Sequence, residues 1–452
     1  MERRTPTGTP QGPGSWIRPG ERLLFAVLAL LVCSDSVIAQ ANDVIATGGF
    51  ISQIGAADLV WLWAVNMLII MAASAGISLI VDRFNRGILL SATLVVFSAL
   101  YGVLLLFFQA GAHAWLPYAL LAVIGNVQWS ILAVLIWTFA NDLISVSQAK
   151  RLYPLLSLAV PAGGAFGSAL AALIAGRVAQ ATSVLLLTTM ALLLLDTLVL
   201  VAVRRRALLD SHHLTHTGDT LGATLREGLD FVRAVPIFRC LAVVLPLTSL
   251  AFTVIEFHLL FEAAHTYTET APLEVFYGAF KSVAIVLLFA VQALLASRLI
   301  TRMEFRRIFF CLPAISLLGL VLACVGFLGG VAGNALVRVT LMGIDEPARK
   351  AFWGLVPEVR RGRVSAFLDG WMYPVGSVAG CAVIKVGLTL SDHHLFSPKG
   401  GQALYLGVAI LGCVAALWMA KLLYDRYDAS LLNWRLQHQR PARSRVLEDL
   451  DL

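Results

Sequence analysis

Between Arg22 and Asp425 the chain alternates long apolar runs with short polar connections. A helix needs about 20 mostly apolar residues to cross a bilayer, and a tilted strand only about half that number. Twelve runs have helix length, and their spans read 22–46, 58–80, 87–110, 116–140, 153–176, 182–204, 237–262, 274–297, 305–328, 329–348, 366–389 and 402–424. In hydrocarbon the backbone must satisfy its own hydrogen bonds, so each run predicts a helix. The expected fold class is an all-α polytopic membrane protein with about 12 transmembrane helices in two six-helix halves.

The longest internal connection, 205–236, is polar and carries His212, His213 and His216. It predicts an amphipathic helix over Thr220–Ala234, lying along the membrane surface. This linker separates an N-terminal bundle, 22–204, from a C-terminal bundle, 237–424. Residues 1–21, rich in Pro, Gly and Thr, read as a disordered leader, and 425–452 as a short tail.

The connections differ in charge. Arg83 and Arg86 follow the second span, Lys150 and Arg151 the fourth, and Arg204, Arg205 and Arg206 the sixth. Arg298, Arg302, Arg306 and Arg307 follow the eighth; Arg349, Lys350, Arg360, Arg361 and Arg363 follow the tenth. The alternate connections hold only Arg177 and Lys399, and Glu262, Glu269 and Glu274 make one of them acidic. The positive-inside rule then places both termini in the cytoplasm of a protein of the inner (plasma) membrane. Arg18 and Arg22, an apolar stretch and Ala39-Gln40-Ala41 also fit a cleaved signal peptide, which would leave the later loops unchanged.

Only 13% of residues are charged, where a soluble domain carries about a quarter. The net charge of +7 is therefore read as topogenic. The expected partners are a lipid bilayer and a small-molecule cargo, with no nucleic acid and a monomeric chain. The six cysteines show no metal or redox spacing and read as packing residues. No Walker A loop, zinc-protease motif or hydrolase elbow occurs, so an ATP-driven pump or an enzyme is not expected, and no cofactor is assigned.

A charge at the bilayer centre costs at least ~2.5–3.5 kcal/mol, so the polar residues inside the runs are the candidates for function. Asp35, Asn126, Gln128, Glu256, Lys281, Asn334, Arg338 and Lys385 are read as cargo-binding. Five of them have a plainer reading. Asp35 and Arg338 would form a fixed interhelical pair, as would Glu256 and Lys281; Lys385 would snorkel to the interface. Asp196 is expected in a buried pairing.

Weak echoes link the halves. The fourth span ends in Asn141-Asp142, then a basic pair, then a span with Gly163, Gly164 and Gly167. The tenth ends in Asp345-Glu346, then a basic cluster, then a span with Gly370, Gly376 and Gly380. Small residues one turn apart let helices approach closely. Six plus six is the arrangement of the major facilitator superfamily. The stretches Trp137–Ser168 (WTFANDLISVSQAKRLYPLLSLAVPAGGAFGS), Ala348–Gly370 (ARKAFWGLVPEVRRGRVSAFLDG) and Val81–Gly87 (VDRFNRG) resemble its ATP/ADP translocase-like, nucleotide-transporting branch.

The resemblance implies a secondary transporter whose first, fourth, seventh and tenth helices line a central cavity. It implies cargo that is a nucleotide or another small organic anion. In the nucleotide exchangers a seventh-helix glutamate and lysines elsewhere serve the substrate. Glu256 stands at the matching place, while Lys281 and Lys385 have surroundings that depart from the family pattern. The resemblance also implies a gate: Asp82, Arg83 and Arg86 occupy the place of the superfamily's Asp-Arg motif, with Ser78 where a glycine is expected. Asp142, Lys150, Arg151, Asp345, Arg349 and Asp369 are grouped with them as gating residues. Two rivals remain open: a non-transporting scaffold or sensor with every intramembrane charge paired, and a lipid-acting membrane enzyme.

Overall fold

The computed structural model describes residues 17–80, 84–110, 115–178, 180–205, 229–292, 294, 305–352, 364 and 367–448. Among these, the long elements are all helical. They are α1 (Arg22–Ile54), α2 (Leu59–Ile80), α3 (Arg86–Gln109), α4 (Leu116–Leu143), α5 (Val146–Ala175), α6 (Ala181–Arg205), α7 (Pro236–Thr266) and α8 (Thr270–Val291). They continue with α9 (Cys311–Ala323), α10 (Phe327–Lys350), α11 (Leu368–Asp392) and α12 (Pro398–Glu448). Eleven of them are long and apolar enough to cross a membrane among the described residues; α9 is shorter.

The ninth and tenth spans differ from expectation: α9 covers only Cys311–Ala323 of the expected 305–328, and the break between the two lies elsewhere. The expected break falls between 328 and 329, but the chain reverses at Gly326, whose φ of 134° is open to glycine and strained for other residues. Gly329 serves close packing instead, since a side chain there would run into the carbonyl of Leu322. The linker residues His212, His213 and His216 lie outside the described residues, as do Thr220–Gly228 of the expected amphipathic helix.

α1 and α7 are the two most buried membrane-length helices, each at the heart of one half. The glycine spans fit against them. In the N-terminal half a side chain at Gly163 or Gly167 of α5 would meet the backbone of Cys33 or Val37 in α1. In the C-terminal half a side chain at Gly376 or Gly380 of α11 would meet Pro246 or Leu250 in α7. The same helix pairing therefore occurs twice, which is the structural form of the sequence echo. Outward faces are apolar, with Leu106, Leu198, Leu411 and Trp418 all more than half exposed, as lipid contact requires.

The end of the bundle where α1 begins and α12 leaves it is the proximal end, and the opposite end is distal. The named contacts between the halves lie distally. Ser168 of α5 and Ser282 of α8 share a hydrogen bond at 2.9 Å, and Gly278 sits against Ser168 and Ala172. Gly176 faces Val275, and Gly48 of α1 faces Glu274 of α8. Lys385 of α11 stands 5.9 Å over the Trp61 ring of α2. Glu274, counted by sequence with the acidic connection at the start of the eighth span, is 3% exposed inside this seam. The eighth helix begins at Thr270, earlier than the apolar run suggests, and draws Glu274 into its second turn.

Candidate functional site

Midway along the bundle, α8 and α10 bring four polar side chains around one carboxylate of α7. Asn334 and Arg338 are four residues apart on α10, and Tyr277 and Lys281 four apart on α8, so each pair shares a helix face. Glu256 of α7 is the hub. Its Oε1 accepts from the Tyr277 hydroxyl at 2.8 Å. Its Oε2 accepts from Asn334 Nδ2 at 2.8 Å and from Arg338 Nη2 at 2.5 Å. The Arg338 guanidinium also lies 5.4 Å from the Phe252 ring centre.

The network crosses to the other half through Asp43 of α1. Lys281 Nζ pairs with Asp43 Oδ2, and the Tyr277 hydroxyl lies 3.4 Å from the same oxygen. A phenol has one proton to donate, so the shorter bond to Glu256 takes it. Lys281–Asp43 is the ion pair that joins the two halves among the described residues. The Asp43 side chain is 32% exposed against 3% for Lys281, so the network opens on the α1 side.

Chemically this is a neutral set of two cations and two carboxylates. It also has spare capacity: Arg338 Nε and Asn334 Oδ1 are buried without a partner. An unmet buried donor or acceptor costs ~1–3 kcal/mol, so a ligand that satisfied them would gain that amount. The guanidinium fork suits a carboxylate or phosphate.

Asp35 and Gln128 belong to a different network, enclosed within the N-terminal half. Gln128 Nε2 donates to Asp35 Oδ1 at 3.0 Å, Tyr101 hydroxyl to Gln128 Oε1 at 2.6 Å, and Asn42 Nδ2 to the Tyr101 oxygen at 3.0 Å. Thr189 donates to Asn42 Oδ1 at 3.3 Å. All five are buried. Asp35 therefore forms no pair with Arg338, and Glu256 pairs with Arg338 where the sequence suggests Lys281. Asn126 donates to the carbonyl of Ala122 in its own helix. Asp196 accepts from the Ser34 hydroxyl at 2.5 Å, with its Oδ1 unpartnered. A scaffold with every intramembrane charge paired does not match this, since Asp35, Asp196 and Glu274 have no ion pair among the described residues.

The proximal end carries a second set of charges. Arg86 pairs with Asp142, joining α3 to α4. Arg151 of α5 donates to Glu21 Oε1 at 2.8 Å, and Gln148 to the same oxygen at 3.1 Å. That hydrogen bond from Arg151 holds the Glu21 carboxyl below the usual range. In the other half Arg349 binds Asp345 Oδ2 at 2.8 Å and also Asp369. Asp345 ends a π-helical stretch, Leu341–Asp345, and Asp369 lies in another, Leu368–Met372. Such wide turns break regular packing and are frequent at functional sites. Each of these proximal pairs stays within one half. Asp82 and Arg83 lie outside the described residues, as does the Lys150 side chain.

Asp43, Tyr277 and Glu274 are absent from the sequence-derived candidates. Asp43 was legible as an acid within the first apolar run, and Tyr277 as a hydroxyl one turn before an intramembrane lysine.

The model of the family described as TLC ATP/ADP transporter matches residues 98–344. No curated protein matches the chain. Solved structures match over nearly their whole length. A bacterial homolog to the human lysosomal transporter Spinster, inward-facing and unoccupied, aligns at TM-score 0.61 and 15% identity over 93% of this chain and 99% of that one. The nucleoside transporter NupG aligns at 0.62 and 11% over 91% and 99%. The POT family transporter PepTSo aligns at 0.66 and 12% over 92% and 99%. At these identities the likeness is one of fold, the major facilitator fold.

Proposed function

Because the chain belongs to the TLC ATP/ADP transporter family, we propose that this multi-pass membrane transporter carries a small organic anion, nucleotides first among them, by alternating access. The observation that carries the reading is the Glu256 network. It holds two cations at the junction of the halves, next to a free donor on Arg338 and a free acceptor on Asn334.

Glu256 and Asp43 neutralise Arg338 and Lys281. An arriving phosphate or carboxylate takes over the guanidinium fork of Arg338 and then Lys281. Asn334 offers its amide to the base or sugar, and Tyr277 turns its hydroxyl to whichever oxygen remains. Displacing Asp43 from Lys281 breaks the ion pair between the halves, so cargo binding and movement of the halves share one contact. A ligand shifts such an equilibrium only by its differential affinity for the two states, and this contact supplies the difference. The distal seam is closed here, so the site is approached from the proximal side. The basic proximal connections favour a proximal side facing the cytoplasm, with both termini there, in the inner membrane. Arg86–Asp142 and Arg349 with Asp345 and Asp369 would then brace the gate-forming helix ends within each half.

The experiment is thermal stabilisation of the detergent-purified protein by ATP, ADP, nucleosides, organic anions and amino acids. A ligand that binds only the folded state raises its stability by mass action. A shift with ATP or ADP that disappears in Arg338→Ala and Glu256→Ala is the expected result. A shift with uncharged nucleosides alone would remove the anion reading, and a shift retained in both variants would remove the site.

A further inference from the structure

We propose that Glu274 is a proton-binding site in the seam between the halves, and that its protonation is a condition for the distal end to close. The inference rests on the reading of the halves as moving parts. Glu274 sits in the second turn of α8 and is 3% exposed. It makes no ion pair among the described residues, and its Oε1 has no hydrogen-bond partner. The opposing face is Gly48 of α1, in the other half: a Cβ there would come within 2.5 Å of Glu274 Cγ. A glycine at that point is what lets the Glu274 side chain pack against the facing helix.

Among the described residues, the groups around it offer no compensating charge. On α1, Asp43 lies just over a turn proximal to Gly48 and is taken by Lys281. On α4, the Tyr118 ring packs against the neighbouring Gly49. On α5, Gly176 meets Val275, and Arg177 beyond it is exposed. On α8 itself, Tyr277 donates to Glu256. An ionised carboxylate buried with no partner is strongly disfavoured, by several kcal/mol, and neutralises by taking up a proton.

The consequence is a linkage. When the distal end opens, Glu274 meets water and releases its proton as an ordinary carboxylic acid. When the end closes, the carboxylate takes one proton from water on the distal side, leaving a neutral acid in the seam. Closed and open states thus differ by one bound proton. Their ratio then changes by up to about tenfold per pH unit, with acid favouring closure.

The test measures the distance between the distal ends of the two halves. Spin labels are placed at Gln109→Cys and Leu395→Cys, with the native cysteines replaced and the protein in lipid nanodiscs. Spectra are taken at about pH 5.5 and about pH 8.5, a window that spans buried and hydrated carboxyl behaviour. In the parent protein the distal-open fraction should rise with pH. In Glu274→Gln it should stay low at both. In Gly48→Ala, where the new methyl group expels the side chain from the seam, it should stay high at both. A parent-like pH response in either variant overturns the proposal, so a folding failure in one leaves the other decisive. A distance that shifts with added ADP but not with pH removes Glu274 and keeps the moving halves. A distance that never changes, in any variant or condition, removes alternating access as well.

Discussion

Two polar networks cross the middle of this bundle, and they are built to opposite ends. The N-terminal one runs Asp35, Gln128, Tyr101, Asn42, Thr189 and stays inside one half. Its hydrogen bonds pass from helix to helix among α1, α4, α3 and α6, and no cation takes part. The second gathers Glu256, Arg338, Asn334, Tyr277 and Lys281 and passes to Asp43 of the other half. It carries four charges and leaves a buried donor and acceptor unused. A satisfied network within one rigid unit fixes packing, because nothing in it gains by moving. A charged, part-satisfied network across a seam can exchange partners, and only such a network can couple a ligand to a motion.

That contrast can be broken by substitution. The largest effect is expected from Arg338→Ala, which strands Glu256 as an unpaired buried carboxylate. Removing one partner of a buried pair costs about 3–5 kcal/mol. Uptake in proteoliposomes should fall to background while membrane insertion, followed by size-exclusion profile, persists. Uptake equal to that of the parent would move the site elsewhere. Next, Tyr101→Phe and Gln128→Ala should each lower thermal stability by about 1–3 kcal/mol through the stranded partner, yet leave cargo-induced stabilisation intact. If Tyr101→Phe abolished ligand stabilisation instead, the division between the two networks would fail.

Gly376→Ala tests the scaffold beneath both. A Cβ there would lie 2.6 Å from Pro246 Cα, and overpacking of this kind costs about 1–3 kcal/mol. The thermal midpoint should drop, with transport per folded molecule unchanged. Asp43→Asn is milder: it weakens the one described ion pair between the halves and should raise the distal-open fraction in the spin-label experiment. The smallest effect is at Glu21. Its carboxyl is held below its usual range by Arg151, so the stability it adds is present above the ordinary carboxylate range and is lost as pH falls through the lowered value. Glu21→Gln should therefore lower the thermal midpoint slightly at neutral pH, and the gap to the parent should close in acid.

The halves also differ in how readily their chemistry is read from the chain. Glu256, Lys281, Asn334 and Arg338 stand out as ionisable or amide groups in apolar runs, and the structure brings those four together. Asp35 and Gln128 stand out equally, yet Gln128 is tied in turn to Tyr101, a residue whose hydroxyl does not register as polar in an apolar run. Glu274 reads as a loop residue because hydropathy falls before α8 begins. Only the seat provided by Gly48, on a helix more than two hundred residues earlier in the chain, makes it a buried group.

The sequence by itself determined the all-α membrane class, eleven of the membrane-length crossings, the charge of their connections and the family, but not the shortness of α9. These follow from the solvent: a bilayer forces each apolar run into a self-satisfied helix, so local composition is enough. Tertiary structure alone decided which buried charges meet, which half they serve, and that Glu274 lies in the seam. Lipid offers little to distinguish one apolar face from another, so pairing is set by small-residue contacts and single hydrogen bonds between helices far apart in the chain. No periodicity along the chain records them.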